Sequence, residues 1–256
     1  MNSTSFRAVA VAVVAGAMSA SSAFAGNLGF WYRVVLDAGG PTGKLYWISL
    51  PYVYTPQDVG SIGQLDAEDL VQDLQPLGLT SPCTGSNCAV AEVRAFDSTT
   101  GEYLTWTTGG AGTPFELEPG LGYAIVLRTV GAHTAHAVDV VGAHDPGLAL
   151  SGCHDPGGVN LLWISLPPNL DIDVSDGIPG VLDAEDLGWA MGGPDHVFQL
   201  RRLNDATGLY EAWVVDSVYG APFTVDLTRA VGVDLTCSDL GALCEECPWT
   251  WTPPTR

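Results

Sequence analysis

Short apolar blocks separated by polar turns run along this chain, and each block announces an element. Leu45 to Leu50 is a largely apolar, aromatic and β-branched run stopped by Pro51, which predicts a buried strand. Leu65-Asp66-Ala67-Glu68-Asp69-Leu70 then opens a helix. Asp66 can accept from free backbone N–H groups, acids in the first turn oppose the positive helix end, and Leu70, Leu74 and Leu77 make one apolar stripe. Val93–Phe96 and Tyr103–Trp106 flank the turn Asp97–Gly101 and predict a hairpin. Phe115 leads through Pro119-Gly120 to Tyr123 and into Ala124–Leu127, which predicts a further hairpin with a glycine-rich turn.

The same blocks then return. Trp47-Ile48-Ser49-Leu50-Pro51 recurs as Trp163-Ile164-Ser165-Leu166-Pro167, Leu65–Leu70 recurs letter for letter as Leu182–Leu187, and Thr100-Gly101-x-Tyr103 recurs as Thr207-Gly208-x-Tyr210. The spacing between copies shrinks from 117 residues at Leu65 and Leu182 to 107 at Gly101 and Gly208, so copy two carries a deletion between its helix and its hairpin. Gly192-Gly193-Pro194 ends that helix early. Phe223 to Leu235 keeps Phe223 and Gly232 but lacks the Pro-Gly of copy one. A repeat this long is a domain-sized unit, since solenoid rungs recur every ~20–50 residues. The expected fold is α+β and strand-rich: two tandem homologous modules, each a small antiparallel sheet with one helix. The expected division is a signal peptide over 1–25, module one over 26–147, module two over 148–240 and a Cys/Trp/Pro-rich tail over 241–256.

The order Trp-Ile-Ser-Leu-Pro, an Ala-x-Asp-Leu helix, Thr-Gly-x-Tyr, then Phe-x-Leu-x-Pro-Gly-x-Gly-Tyr resembles a tandem module of exported bacterial proteins. Val141-Gly142-Ala143-His144-Asp145 matches the Val-Gly-x-His-Asp segment found between its copies. The resemblance spans most of residues 30–236 and departs at the final hairpin of copy two. It implies an extracytoplasmic, non-catalytic module and brings no catalytic residues with it.

Composition narrows the setting. Arg7, the apolar stretch Ala8–Met18 and Ala23-Phe24-Ala25 read as an export signal, with the apolar stretch shorter than the ~20 residues a bilayer span needs. The expected location is therefore secreted or extracytoplasmic: periplasm, cell surface or extracellular. The net charge of −20, with Lys44 the only lysine, argues against nucleic acid and anionic membranes, and the lack of a later long apolar segment argues against membrane insertion. It leaves surface polysaccharide or another exported protein as partners. Six cysteines in an exported chain imply disulfides and allow 15 pairings. Cys83 and Cys88 flank one polar loop, Cys244 and Cys247 form a second local pair, and Cys153 and Cys237 remain. A Cys-x-x-Cys can also serve redox or zinc chemistry, but the two glutamates inside this one raise thiol pKa.

Candidate chemistry is sparse. Asp171, Asp173, Ser175, Asp176 and Gly177, followed by Asp183 and Asp186, resemble a stretched calcium loop, though the glycine and the last acid come late. Helix capping explains the two later acids without a metal. His133, His136, His144 and His154 lie near Asp139, Asp145 and Asp155 without the spacing of a zinc site. Trp106 and Trp213 end hairpin strands and are the candidate sugar-stacking rings, whereas Trp47 and Trp163 belong to apolar strands and are expected in the core. No Gly-x-Ser-x-Gly, His-Glu-x-x-His or phosphate loop occurs. The expectation is a non-catalytic structural or binding protein with no cofactor. Carbohydrate binding and stabilisation by Ca2+ at the acidic loops are the alternatives.

Overall fold

The computed structural model describes residues 29–50, 53–54, 65–76, 79, 82–110, 113–143, 149–152, 160–174, 180–236 and 249–254. The first half runs β1 (Gly29–Asp37), β2 (Lys44–Ser49), β3 (Val53–Tyr54), α1 (Ala67–Asp73), β4 (Val90–Asp97), β5 (Glu102–Thr107), β6 (Gly122–Leu127) and β7 (Ala135–Ala143). The second runs β8 (Leu150–Gly152), β9 (Leu161–Ile164), α2 (Ala184–Ala190), β10 (Val197–Asn204), β11 (Leu209–Val214), β12 (Val231–Leu235) and β13 (Trp249–Trp251).

The two halves share one plan. Each has a four-stranded antiparallel sheet, ordered β2-β6-β4-β5 in module one and β9-β12-β10-β11 in module two. The third strand of each sheet slips register at the same place, between Val90 and Glu92 and between Val197 and Gln199. The strand before each sheet pairs with the strand after it: β1 with β7, which also carries β3, and β8 with β13. The C-terminal segment therefore joins module two, and Trp251, expected on a tail, is buried in its core.

Both seven-residue helices start on the expected acids. Asp66 Oδ1 accepts from Glu68 N and Asp69 N at 2.8 and 3.0 Å, and Asp69 returns a bond to Asp66 N. Asp183 and Asp186 repeat this reciprocal box. Leu70 and Leu74 point into core one, while Leu77 lies outside the described residues.

The second expected hairpin is corrected. Residues 115–117 do not fold back on β6 but bridge to the start of the helix, with Ala67 N donating to Phe115 O and Leu117 N to Leu65 O. Every residue of β6 is buried, which places it in the sheet interior between β2 and β4, where apolar side chains are needed on both faces. Module two builds the same arrangement around Phe223 and β12 without the Pro-Gly, and Ala184 N donates to Phe223 O.

Candidate functional site

Each sheet packs one face on its helix, and the remaining faces meet each other. There Trp47 stacks on Trp163, centroids 3.9 Å apart and planes within 7°. Ala124, Leu203 and Ala230 complete this third core, with Leu45, Phe96 and Leu161 packed against it. Stacked rings contribute about 0.5–1.5 kcal/mol beyond the area they bury.

Backbone and serine groups close the seam reciprocally. Leu50 N donates to Ser165 Oγ and Leu166 N donates to Ser49 Oγ, both at 2.9 Å. Ser49 N donates to Thr228 O, and Ser165 N, at the equivalent position, donates to Gly120 O. The outer edges of β2 and β9 are thus each capped by the other module, satisfying main-chain groups that an open edge leaves unpaired. Gly122 and its counterpart Ala230 face one another, and a Cβ on Gly122 would lie 2.2 Å from that of Ala230. Only one of the two equivalent positions can carry a side chain.

Tyr103 and Tyr210 flank the stacked indoles. Trp47 Nε1 donates to Tyr210 OH at 3.0 Å, whereas Trp163 Nε1 has no partner among the described residues. Burial, then the neighbouring Tyr210, pushes the Tyr103 phenol above its ordinary value.

A cleft of about 220 Å3 opens in module two, beside the β10–β11 turn. Arg202 lies over the Phe223 ring at 4.9 Å and donates through Nε to Glu211 at 2.7 Å and through Nη1 to Thr224 O at 2.5 Å. Asn204 Nδ2 holds the other Glu211 oxygen at 2.6 Å. The Asn204 amide, followed by Arg202, keeps the Glu211 carboxyl below the ordinary range. Arg229 directs both Nε and Nη2 to one oxygen of Asp205, at 2.9 and 2.8 Å, and leaves the buried Asp205 Oδ1 without a partner among the described residues.

The residues singled out in the sequence do not gather here. Trp213 is buried in core two, with its indole donating to Glu185, and Trp106 is half-buried against core one. Trp213 thus reaches α2 through Glu185, and Trp106 packs against core one. Asp183 and Asp186 are buried in the capping box, and Asp171 N donates to Pro254 O. Asp173 sits in a coil segment, and Ser175 and Asp176 lie outside the described residues. Among the described residues, no three of His, Cys, Asp and Glu converge as metal ligands. His136 is buried with Nε2 on Arg128 O, His133 is exposed, and His144 and His154 lie outside the described residues. Cys83 and Cys88 form a disulfide, while Cys153, Cys237, Cys244 and Cys247 lie outside the described residues. No helix among the described residues is long and apolar enough to cross a membrane.

Sequence reasoning missed the seam serines and the cleft. The serines carried a signal, since the same polar residue interrupts both apolar strands. The cleft is visible only as positions where copy two departs from copy one. No protein family, curated protein or solved structure matches this chain.

Proposed function

We propose that this chain is an exported, non-catalytic structural or binding protein of the bacterial surface or surroundings. The observation that carries this reading is the seam. Two copies of one module share a buried aromatic core and cap each other's sheet edges, which joins a duplicated unit into one packed body. Such a body suits holding and presenting surfaces. The charged groups of the cleft support the non-catalytic side of the reading, because each guanidinium is already paired with a carboxylate. The export signal and the acidic surface read from the sequence supply the location.

The test is retention of the secreted chain on a panel of insoluble polysaccharides and cell envelopes, with calcium and with EDTA. Selective retention on one member supports a binding role. Equal passage through every member would remove the binding role and leave a structural one. Retention that EDTA abolishes would turn the acidic loops from caps into ligands.

A further inference from the structure

The duplication supplies its own control for the cleft. In module one the corresponding space is filled by Tyr123, whose ring stacks near Phe115 (6.3 Å, 14°) and whose hydroxyl exchanges hydrogen bonds with Glu118 N and O. The equivalent residue in β12 is Val231, because Tyr123 pairs with Ile48 just as Val231 pairs with Ile164. A valine there leaves the volume open beside Phe223. Around the opening, Arg202, Asp205 and Arg229 stand where module one has Ala95, Ser98 and Leu121. One copy thus lacks the plug and carries three charged groups on the same rim where the other carries none.

We propose that this cleft binds one neutral pyranose unit of a glycan, an inference that rests on the binding side of the function proposed above. Its volume lies below the roughly 300–1,000 Å3 of sites for drug-sized ligands, which suits one ring and not an extended chain. Its polar groups are mixed. Arg202 Nη2 offers a donor and Asp226 Oδ2 an acceptor, each without a partner among the described residues. The Arg229 fork saturates only one oxygen of Asp205 and leaves Oδ1 buried without a partner among the described residues. Hydroxyl groups both donate and accept, and so match such a set. Two arginines balance Asp205 and Asp226 among the lining residues, and Glu211, bound to Arg202, adds a negative charge that disfavours an anion. The largely buried side chains of Phe223, Val225 and Val231 form the apolar floor of the cleft.

The experiment titrates the full secreted chain with methyl glycosides of glucose, galactose, mannose and N-acetylglucosamine, and with glucuronate, followed by saturation-transfer NMR and calorimetry. At least one neutral glycoside is expected to saturate a single site and to bind about tenfold or more tighter than glucuronate, a tenfold ratio being a modest discrimination for one polar group. The double variant Arg202→Ala/Val231→Tyr restores the module-one solution and should abolish that binding while the unfolding temperature holds. Arg229→Leu, which copies Leu121, reads the same loss if the double variant fails to fold. Absence of binding by all four neutral glycosides, preference for glucuronate, or binding that survives Arg229→Leu would each overturn the proposal. Retention of the wild-type chain on an insoluble polysaccharide that Arg229→Leu leaves intact would keep the binding function and overturn only this cleft.

Discussion

Modules one and two match closely at the seam and differ most on their helix sides. In module one, Gln72 on α1 holds the disulfide loop through Cys83 N and O at 2.8 and 3.1 Å, and Gln75 holds Ala89 N and Asn87 O. Module two lacks that loop. Its α2 carries Trp189 at the position of Gln72, and Glu185, buried where Glu68 is exposed, accepts from Trp189 Nε1, Trp213 Nε1 and Asp216 N. A stapled loop closes one module, and a buried carboxylate ringed by N–H donors closes the other. The backbone beyond β5 and β11 kept its left-handed turn through this exchange: Gly109 has φ +75° and Asp216 has φ +60°. A left-handed φ is costly for most residues with a Cβ, though less so for Asp, and the Glu185 bond to Asp216 N helps to hold it. Divergence was tolerated where each module met only itself and resisted where each met the other.

The seam is where the comparison should break most easily. Trp47→Ala or Trp163→Ala should each cost about 3–5 kcal/mol in denaturant unfolding, the usual range for emptying a buried aromatic site. Either change should destabilise both modules, because the stack belongs to neither alone. Phenylalanine sharpens the test. Trp47→Phe strips Tyr210 of its donor and should cost about 1 kcal/mol more than Trp163→Phe, which removes an indole N–H that has no partner among the described residues. Equal costs would mean that the asymmetry in indole bonding does not persist in solution.

The helix sides should come next. Glu185→Ala leaves two indole donors and Asp216 N facing a void, and should cost about 3 kcal/mol, at roughly 1–3 kcal/mol for each buried group left unsatisfied. Glu68→Ala, at an exposed site, should stay within about 0.5 kcal/mol. A matched pair of losses in thermal unfolding would contradict the different roles given to these equivalent glutamates.

The capping boxes should separate the modules less. Asp66→Ala and Asp183→Ala should each cost about 0.5–2 kcal/mol, with Asp183 at the upper end because it is fully buried. Capping requires the same loss in calcium and in EDTA. A calcium-dependent rise in Tm that disappears in Asp183→Ala would instead assign the acids to a bound ion.

What could be read in advance follows from what repeats. The strands around Trp47 and Trp163, both helix starts and the turns at Asp97 and Asn204 were legible because periodicity and capping chemistry are local. The pairing partner of β6 was not, since a Pro-Gly turn suggests a neighbour in sequence while full burial demands neighbours on both sides. The flanking strands β1 and β7 were also missed. Their pairing joins Leu36 to His136 across the whole module, a contact that no local pattern encodes. Ser49 and Ser165 were visible as polar breaks, but their partners lie in the other copy. Arg202, Asp205 and Arg229 become conspicuous only once equivalent positions are superposed, because in the sequence each alone is an ordinary charged residue.

The smallest expected difference is one of pH, and it concerns the same hairpin in each copy. The Thr99 backbone N–H, followed by Thr100, lowers the Asp97 carboxyl in module one, whereas module two makes the equivalent turn with Asn204, which does not titrate. Module two instead has Glu211, lowered by the Asn204 amide and Arg202, where module one has Leu104. A carboxyl held low in the folded state contributes stability above its unfolded pKa, about 4.3 for Glu, and loses that contribution as pH falls through the folded value. Since Glu211 is more than a third exposed, its contribution should be only a fraction of a kcal/mol. Glu211→Leu, which copies module one, should therefore lower Tm slightly at pH 7, and the gap to wild type should shrink as pH falls from 5 towards 3. A gap that stays constant over that range would show that Glu211 acts through packing and not through its charge.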